Sequence, residues 1–206
     1  MKDSILKEKQ LMEKDFSSPP NQEWFDKYEL PAGWSLIKGR LSGKTALDIG
    51  CASGWVAWHA QKEGANAIAT DIFKTYVHPN LPFIIADKED LPFKDSYFDF
   101  VLTSNTLHHG DLFKTCTEAY RVLKKDGEFI SFIEPCISVE INEKDYLNQY
   151  CAKELASGID ERRPNLIQYQ GSLAQFSSVV IYLSTDLSKF FTDTHVSTGI
   201  CIHAVK

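Results

Sequence analysis

Thr45-Ala46-Leu47-Asp48-Ile49-Gly50-Cys51-Ala52-Ser53-Gly54 is the stretch on which the fold turns. An apolar run of strand length ends at a glycine, passes through small residues and opens into Trp55 to Lys62, which reads as a helix. Gly64 then supplies a left-handed helix cap. Small residues at such a bend let main-chain atoms approach a ligand closely, because no Cβ stands in the way. In open α/β sheets, ligands bind at that carboxyl end of the strands, at the switch point. The spacing Gly50-x-x-x-Gly54 differs from the dinucleotide pattern G-x-G-x-x-G. It also differs from a P-loop, which closes on Gly-Lys-Ser/Thr.

Outward from that bend, short buried-type strands alternate with helices. Ala67-Ile68-Ala69-Thr70 is a second strand stopped by Asp71. Phe83-Ile84-Ile85-Ala86 is a third stopped by Asp87, and Phe98 to Thr103 a fourth. Leu112 to Leu123 is an amphipathic helix closed by Lys124, Lys125, Asp126 and Gly127, where lysines suit the dipole and Asp-Gly turns the chain. Glu128 to Ile133 gives a fifth strand, ended by Pro135. Beyond it, Ile141 to Leu155 reads as helix and Glu161 to Gly171 as loop. Val179 to Leu183 and Gly199 to Val205 read as two last strands. The expected fold is α/β and doubly wound: a mostly parallel seven-stranded sheet with helices on both faces and an antiparallel C-terminal edge pair.

Composition bounds the function. With 206 residues, 43% hydrophobic and 12% aromatic, the chain suits one domain with a sizeable core. The formal charge is −6 and no run of lysines and arginines tracks a phosphate backbone, so a nucleic-acid partner is disfavoured. Arg162-Arg163 is the nearest basic pair, and Asp160-Glu161 precede it directly. Five cysteines, none at a C-x-x-C spacing, read as reduced thiols in a cytoplasmic protein. No stretch of ~18 apolar residues suggests a membrane span. Within residues 5–16, Ile5, Leu6, Met12 and Phe16 suggest a short amphipathic helix. Trp24, Phe25, Tyr28 and Trp34 are expected to cover the core.

The order of these segments resembles that of class I S-adenosylmethionine-dependent methyltransferases. Asp48 to Gly54 resembles their first motif, roughly D-x-G-x-G-x-G, with Ala52 in place of the middle glycine. Asp87 followed by Lys88-Glu89-Asp90-Leu91-Pro92-Phe93 is similar to their D-A-x-x-L-P-F, and Leu107-His108-His109 and Glu118 to Gly127 resemble later segments. The likeness spans residues 44–135. It implies a cofactor, S-adenosyl-L-methionine, leaving as S-adenosyl-L-homocysteine, and a methyl acceptor. Asp71 would bond the ribose hydroxyls, since a carboxylate can accept from both hydroxyls of a cis-diol. Asp87, with the amide of Lys88, would recognise adenine, beside Ile72. Asp48, Gly50, Cys51, Ala52, Ser53 and Gly54 would form the cradle, with Asp48 organising the loop. Ser104 and Asn105 would lie next to the methyl position. The implied organisation is one domain over 1–206. Residues 1–40 form a substrate-side segment, 44–135 the cofactor core and 136–206 the substrate-side half.

Methyl transfer asks mainly for proximity and alignment. His108 and His109 are the residues placed to act as a base where an acceptor must lose a proton, with Glu134 a further candidate. As a metal pair the histidines read poorly, because neighbours in sequence point apart and no acid lies at ligand spacing. His195 and His203 read as structural, and Cys51 lacks a paired base. The acceptor is expected to be a small molecule, with Tyr146, Tyr150, Tyr169 and Phe176 suiting an apolar or ring-bearing one. O- and C-methylation, and monomer and homodimer, stay open, as does a cofactor-binding partner subunit without catalysis.

Overall fold

A computed structural model describes residues 33–74, 78–156, 158–184 and 197–206. The helix expected within 5–16, the rings of Trp24, Phe25 and Tyr28, and His195 lie outside those residues. The strands are β1 (Thr45–Ile49), β2 (Asn66–Asp71), β3 (Phe83–Ile85), β4 (Phe98–Thr103), β5 (Leu123–Ile137), β6 (Ser178–Ser184) and β7 (Ser197–Val205). They form one sheet in the order β3-β2-β1-β4-β5-β7-β6. The β1–β2, β1–β4, β2–β3 and β4–β5 pairs are parallel, and β7 runs antiparallel between β5 and β6. This is the expected seven-stranded, doubly wound sheet with its antiparallel edge pair. The order reverses beside β1, so the bend after β1 stands at the switch point.

Alternation along the strands divides the core in two. On one face, Ala46, Phe100, Leu102 and Phe132 pack with Trp34, Ile37 and Leu41 and with helix α1 (Trp55–Lys62) through Val56, Ala57 and Ala60. On the other, Leu47, Ile49, Val101 and Phe129 pack against α2 (Leu112–Val122) through Cys116, Ala119 and Val122. Burying each large apolar side chain contributes about 1.5–3 kcal/mol, so the two faces together hold the sheet flat between its helices. Gly64 takes φ +89° after α1, as the cap requires. All five cysteines are buried thiols.

Four local expectations are corrected. Residues 161–171 are not all loop: α5 (Leu166–Ser172) forms there after α3 (Glu143–Tyr150) and α4 (Ala152–Ala156). Its start is a capping box in which Asn165 and Gln168 satisfy each other's backbone amides, and Tyr169 anchors it by donating from its hydroxyl to Pro135 O at 2.9 Å. The single helix expected over 141–155 is two, broken at Cys151. The Lys124 to Gly127 turn is instead a bulge within β5, with Asp126 at φ 61° and a register shift opposite Phe98 and Phe100. Pro135 does not end β5, because β4 last pairs at Thr103 with Ser131 and Pro135 faces only Gly199 of β7.

At the amino ends of the central strands, Asp99 accepts from Lys124 Nζ, Thr45 N and Thr45 Oγ1, each at 2.8 Å. Partial burial opposes its ionisation. The hydrogen bonds from Lys124 and Thr45 outweigh it and hold the carboxyl down at about 2. A depressed carboxyl stabilises the fold above its unfolded pKa, about 4, and loses that contribution as pH falls through about 2. Asp99→Asn should therefore cost about 1–3 kcal/mol at neutral pH. Its deficit against the parent, measured by denaturant unfolding, should shrink between about pH 4 and pH 2.

Candidate active site

The bend after β1 is fixed from both sides. Gly50 takes φ +64°, and a Cβ there would fall 2.1 Å from Thr106 Cγ2, so only glycine fits. Thr106 Oγ1 lies 3.1 Å from Gly50 O and 2.9 Å from Ser104 O, tying the bend to the segment after β4. Ala52 takes φ 46° and Gly54 φ 80°. A left-handed alanine costs about 1–2 kcal/mol. The amide of Ala52 offsets part of this by donating to Asp71 Oδ2 at 2.9 Å, while Cys51 N donates to Thr70 O at 3.0 Å. Asp48, buried, accepts from Ala57 N at 3.0 Å, satisfying an amide in the first turn of α1. Burial, with Asp48 and Asp71 nearby, pushes the Cys51 thiol well up, which leaves it a poor nucleophile.

Asp71 closes β2 with its carboxylate turned toward the bend. Burial raises its pKa, against the amides of Ala52, Ile72 and Phe73 and the charge of Lys88. Ile72 N donates to Oδ1 at 2.8 Å, so three backbone amides already engage a carboxylate with about four acceptor positions. Asp87, after β3, is half-buried and accepts from Glu89 N at 2.9 Å. Ile72, Asp87 and Lys88 share a cleft of about 450 Å³ with Leu107, His109 and Arg162. Gly50 to Gly54, Asp71, Ser104 and Asn105 are not among its walls. Asn105 is exposed at φ 52° with its amide on Ile133 O at 2.7 Å, and Ser104 is half-buried.

Glu89, Asp111, Lys114, Glu143 and Asp160 also face the cleft, together with the apolar side chains of Leu112, Phe113 and Pro164. Of the rings expected to suit the acceptor, Tyr146, Tyr169 and Phe176 are buried in the core and are not among its walls, while Tyr150 is exposed.

The histidine pair belongs to a buried network. Glu134 is fully buried, and its Oε1 accepts from Thr106 N at 2.8 Å, Leu107 N at 3.0 Å and Ser131 Oγ at 3.2 Å. Its Oε2 meets His108 Nδ1 at 3.0 Å. Those donors commit Glu134 to shaping the loop after β4. Burial pushes both imidazoles well below the usual histidine range, with the charges of Arg163 and Lys88 adding to it for His108. His108 is only 3% exposed, so it orients its neighbours and is not placed to take a proton from an acceptor. His109, part-exposed, reaches the cleft.

Two members of this network were not singled out as site residues in the sequence. Glu161 lies 3.8 Å from His108 Nε2 and 3.4 Å from His109 Nδ1, and pairs closely with Arg163. The expectation that the histidines diverge with no acid near them is thus corrected. Their rings lie 4.1 Å apart between centroids at an interplanar tilt of 41°, and an isolated antiparallel bridge between His109 and Glu161 brings the C-terminal half across. A separation of 52 residues hid that contact, and in the sequence Glu161 stood only as one of two acids before the Arg162-Arg163 pair. His203, as expected, is structural, bonding Glu128 at 2.8 Å.

With this geometry in view, the chain can be compared with known proteins. Residues 47–131 match the family model described as "Methyltransferase domain". The mouse (Mus musculus) protein named "Arginine-hydroxylase NDUFAF5, mitochondrial" is 41% identical over 93 residues, 41% of this chain and 27% of that protein. The matched part thus spans about a quarter of that relative's length. Among solved structures, phosphoethanolamine N-methyltransferase 2 of Haemonchus contortus in complex with S-adenosyl-L-methionine superposes with a TM-score of 0.72 at 16% identity, over 92% of this chain and 53% of that one. Geranyl diphosphate C-methyltransferase from Streptomyces coelicolor A3(2) gives 0.67 at 14% identity, over 92% and 84%. No helix among the described residues is long and apolar enough to cross a membrane. Residues 47–131 thus resemble a methyltransferase domain, and the described residues share the fold of these solved methyltransferases.

Proposed function

We propose that this chain binds S-adenosyl-L-methionine and transfers its methyl group to a small-molecule acceptor, with S-adenosyl-L-homocysteine as co-product. One observation carries the reading: the amide of Ala52 and the carboxylate of Asp71 meet at 2.9 Å, so bend and acid form a single edge at the switch point. Along that edge the backbone of Gly50, Cys51, Ala52, Ser53 and Gly54 takes the amino-acid part of the cofactor, with Asp48 holding the bend. The carboxylate of Asp71 takes the ribose hydroxyls. Ile72, Asp87 and the amide of Lys88 take the adenine, and Ser104 and Asn105 flank the methyl position. The cofactor's sulfonium supplies a methyl group already activated for attack. The chain contributes alignment of the acceptor and exclusion of water, which together lower the barrier without a covalent intermediate.

The domain divides accordingly. Residues 44–135 hold the cofactor and residues 136–206 complete the acceptor side, a division supported by Asp160, Arg162, Pro164 and Gln168 walling the cleft opposite Asp87. Residues 1–40 are assigned to the same side by the family resemblance. Of the two histidines, His109 is placed to touch an acceptor and His108 positions it. A second reading, hydroxylation, is favoured by the name of the mouse relative. A third is cofactor binding without turnover. Mass spectrometry of acceptors after incubation with isotope-labelled cofactor separates all three. Gain of the labelled methyl supports the proposal, gain of an oxygen atom supports the second reading, and no product despite tight binding supports the third.

The cofactor site has its own test. Asp71→Ala should weaken S-adenosylhomocysteine binding by about 1–3 kcal/mol, the scale of lost hydrogen bonds to a charged group, as read by calorimetry. Unchanged affinity would remove Asp71 from the site. His108→Ala and His109→Ala should keep nearly the parent affinity; a large loss in either would move that histidine from the acceptor side to the cofactor side.

A further inference from the structure

The arrangement around the histidine pair asks for a cation. We assign the proton of the neutral His108 ring to Nδ1, as donor to Glu134 Oε2 at 3.0 Å. Its Nε2 is then a lone pair, and that lone pair faces Glu161 Oε1 at 3.8 Å. His109 Nδ1 is buried without a hydrogen-bond partner and lies 3.4 Å from Glu161 Oε2. One ligand atom each from His108, His109 and Glu161 falls within 4.8 Å of the others. With His109 Nδ1 as the unprotonated nitrogen of its ring, two nitrogen lone pairs and a carboxylate oxygen converge here. Arg163, paired with Glu161 Oε1 on the side that His108 faces, and Lys88 already place positive charge near both imidazoles.

We propose that His108, His109 and Glu161 bind one divalent first-row transition ion of the zinc or ferrous kind, with its remaining positions open to the cleft. Two imidazoles and one carboxylate are the donor set such ions prefer, whereas magnesium favours oxygen ligands and water. Ligand bonds of about 2.0–2.2 Å ask the three donors to draw together by roughly 1 Å, within the reach of side-chain rotation. Glu134 fills the second-shell role that fixes ring orientation and tautomer in carboxylate–histidine–metal triads. His109 and Leu107 also line the cleft of about 450 Å³, so an ion held here would face whatever acceptor occupies it. The site goes beyond methyl transfer and does not rest on it: the ligands come from the β4–α2 segment and from residue 161, not from the bend after β1.

Cobalt(II) is the probe, titrated into the full chain under reducing conditions and followed by calorimetry and visible absorption. One cobalt per chain should bind with d–d bands of a low-coordinate nitrogen–oxygen site, zinc should displace it, and magnesium in excess should not. His109→Ala, His109→Gln and Glu161→Gln should each weaken uptake at least about tenfold, and Glu134→Gln by about 10–100-fold. Thermal unfolding checks that each variant is folded, and His109, at the cleft wall, is the substitution best tolerated. Absence of cobalt uptake at micromolar concentrations overturns the proposal. So does uptake undiminished in the folded His109 variants, which would place the ion on other histidines of the six. Cobalt binding with normal S-adenosylhomocysteine affinity, or the reverse, keeps this result separate from the fate of the methyl-transfer reading.

Discussion

The backbone of residues 50–54 keeps one shape because two neighbouring strands grip it. From β2, the Asp71 carboxylate accepts the Ala52 amide at 2.9 Å; from beyond β4, the Thr106 side chain closes against Gly50 and reaches its carbonyl at 3.1 Å. Each grip depends on β1 lying between β2 and β4, with both pairs parallel. The strand order therefore does more than organise a core: it brings one acid and one hydroxyl to the same short bend. Moving either strand by one residue would turn these side chains to the other face.

The same principle extends sideways. Glu134 on β5 gathers the amides of Thr106 and Leu107 and the ring of His108, so the segment that presses on Gly50 is itself held by the next strand. The C-terminal half then lays Glu161 and Arg163 against the histidines. On the opposite edge, Arg121 of α2 donates to the carbonyls of Leu91 and Phe93, and Glu118 accepts from Leu91 N, which clamps the segment that follows Asp87. The bend after β1 and the segment after β4 are thus parts of one hydrogen-bonded rim along the carboxyl ends of the sheet, while the Arg121 clamp lies beside the start of β4. Because its polar groups are mostly buried and paired, that rim is preorganised, which is what catalysis by alignment requires.

The parts legible in the sequence are those whose physics is local. Thr45 to Gly54 carries its own signature, since a strand, a glycine that must take a positive φ and a helix start lie within ten residues of one another. The acids at Asp71 and Asp87 could be placed because each directly ends an apolar run. What escaped is non-local or weakly marked. Helix α5 had a readable start in Asn165 and Gln168, but its Gly171 and short length argued for a loop. Pro135 looked like a strand end because one cannot tell from the sequence that β4 stops pairing before it. Glu161 carried no such mark, since its partners are two histidines half a domain away in the chain. Among the aromatic residues of the C-terminal half, Tyr169 and Phe176 serve the core, and the cleft takes its ring from Phe113 of α2 instead.

The account stands or falls on where an adenosyl ligand sits. The most direct measurement is a crystal structure of the chain with S-adenosylhomocysteine. It should show the ribose hydroxyls on the carboxylate of Asp71, the adenine between Ile72 and Asp87, and the amino-acid tail along the main chain of residues 50–54. A ligand bound elsewhere, or Asp71 still bonded only to Ala52 and Ile72 with the ribose out of its reach, would contradict it.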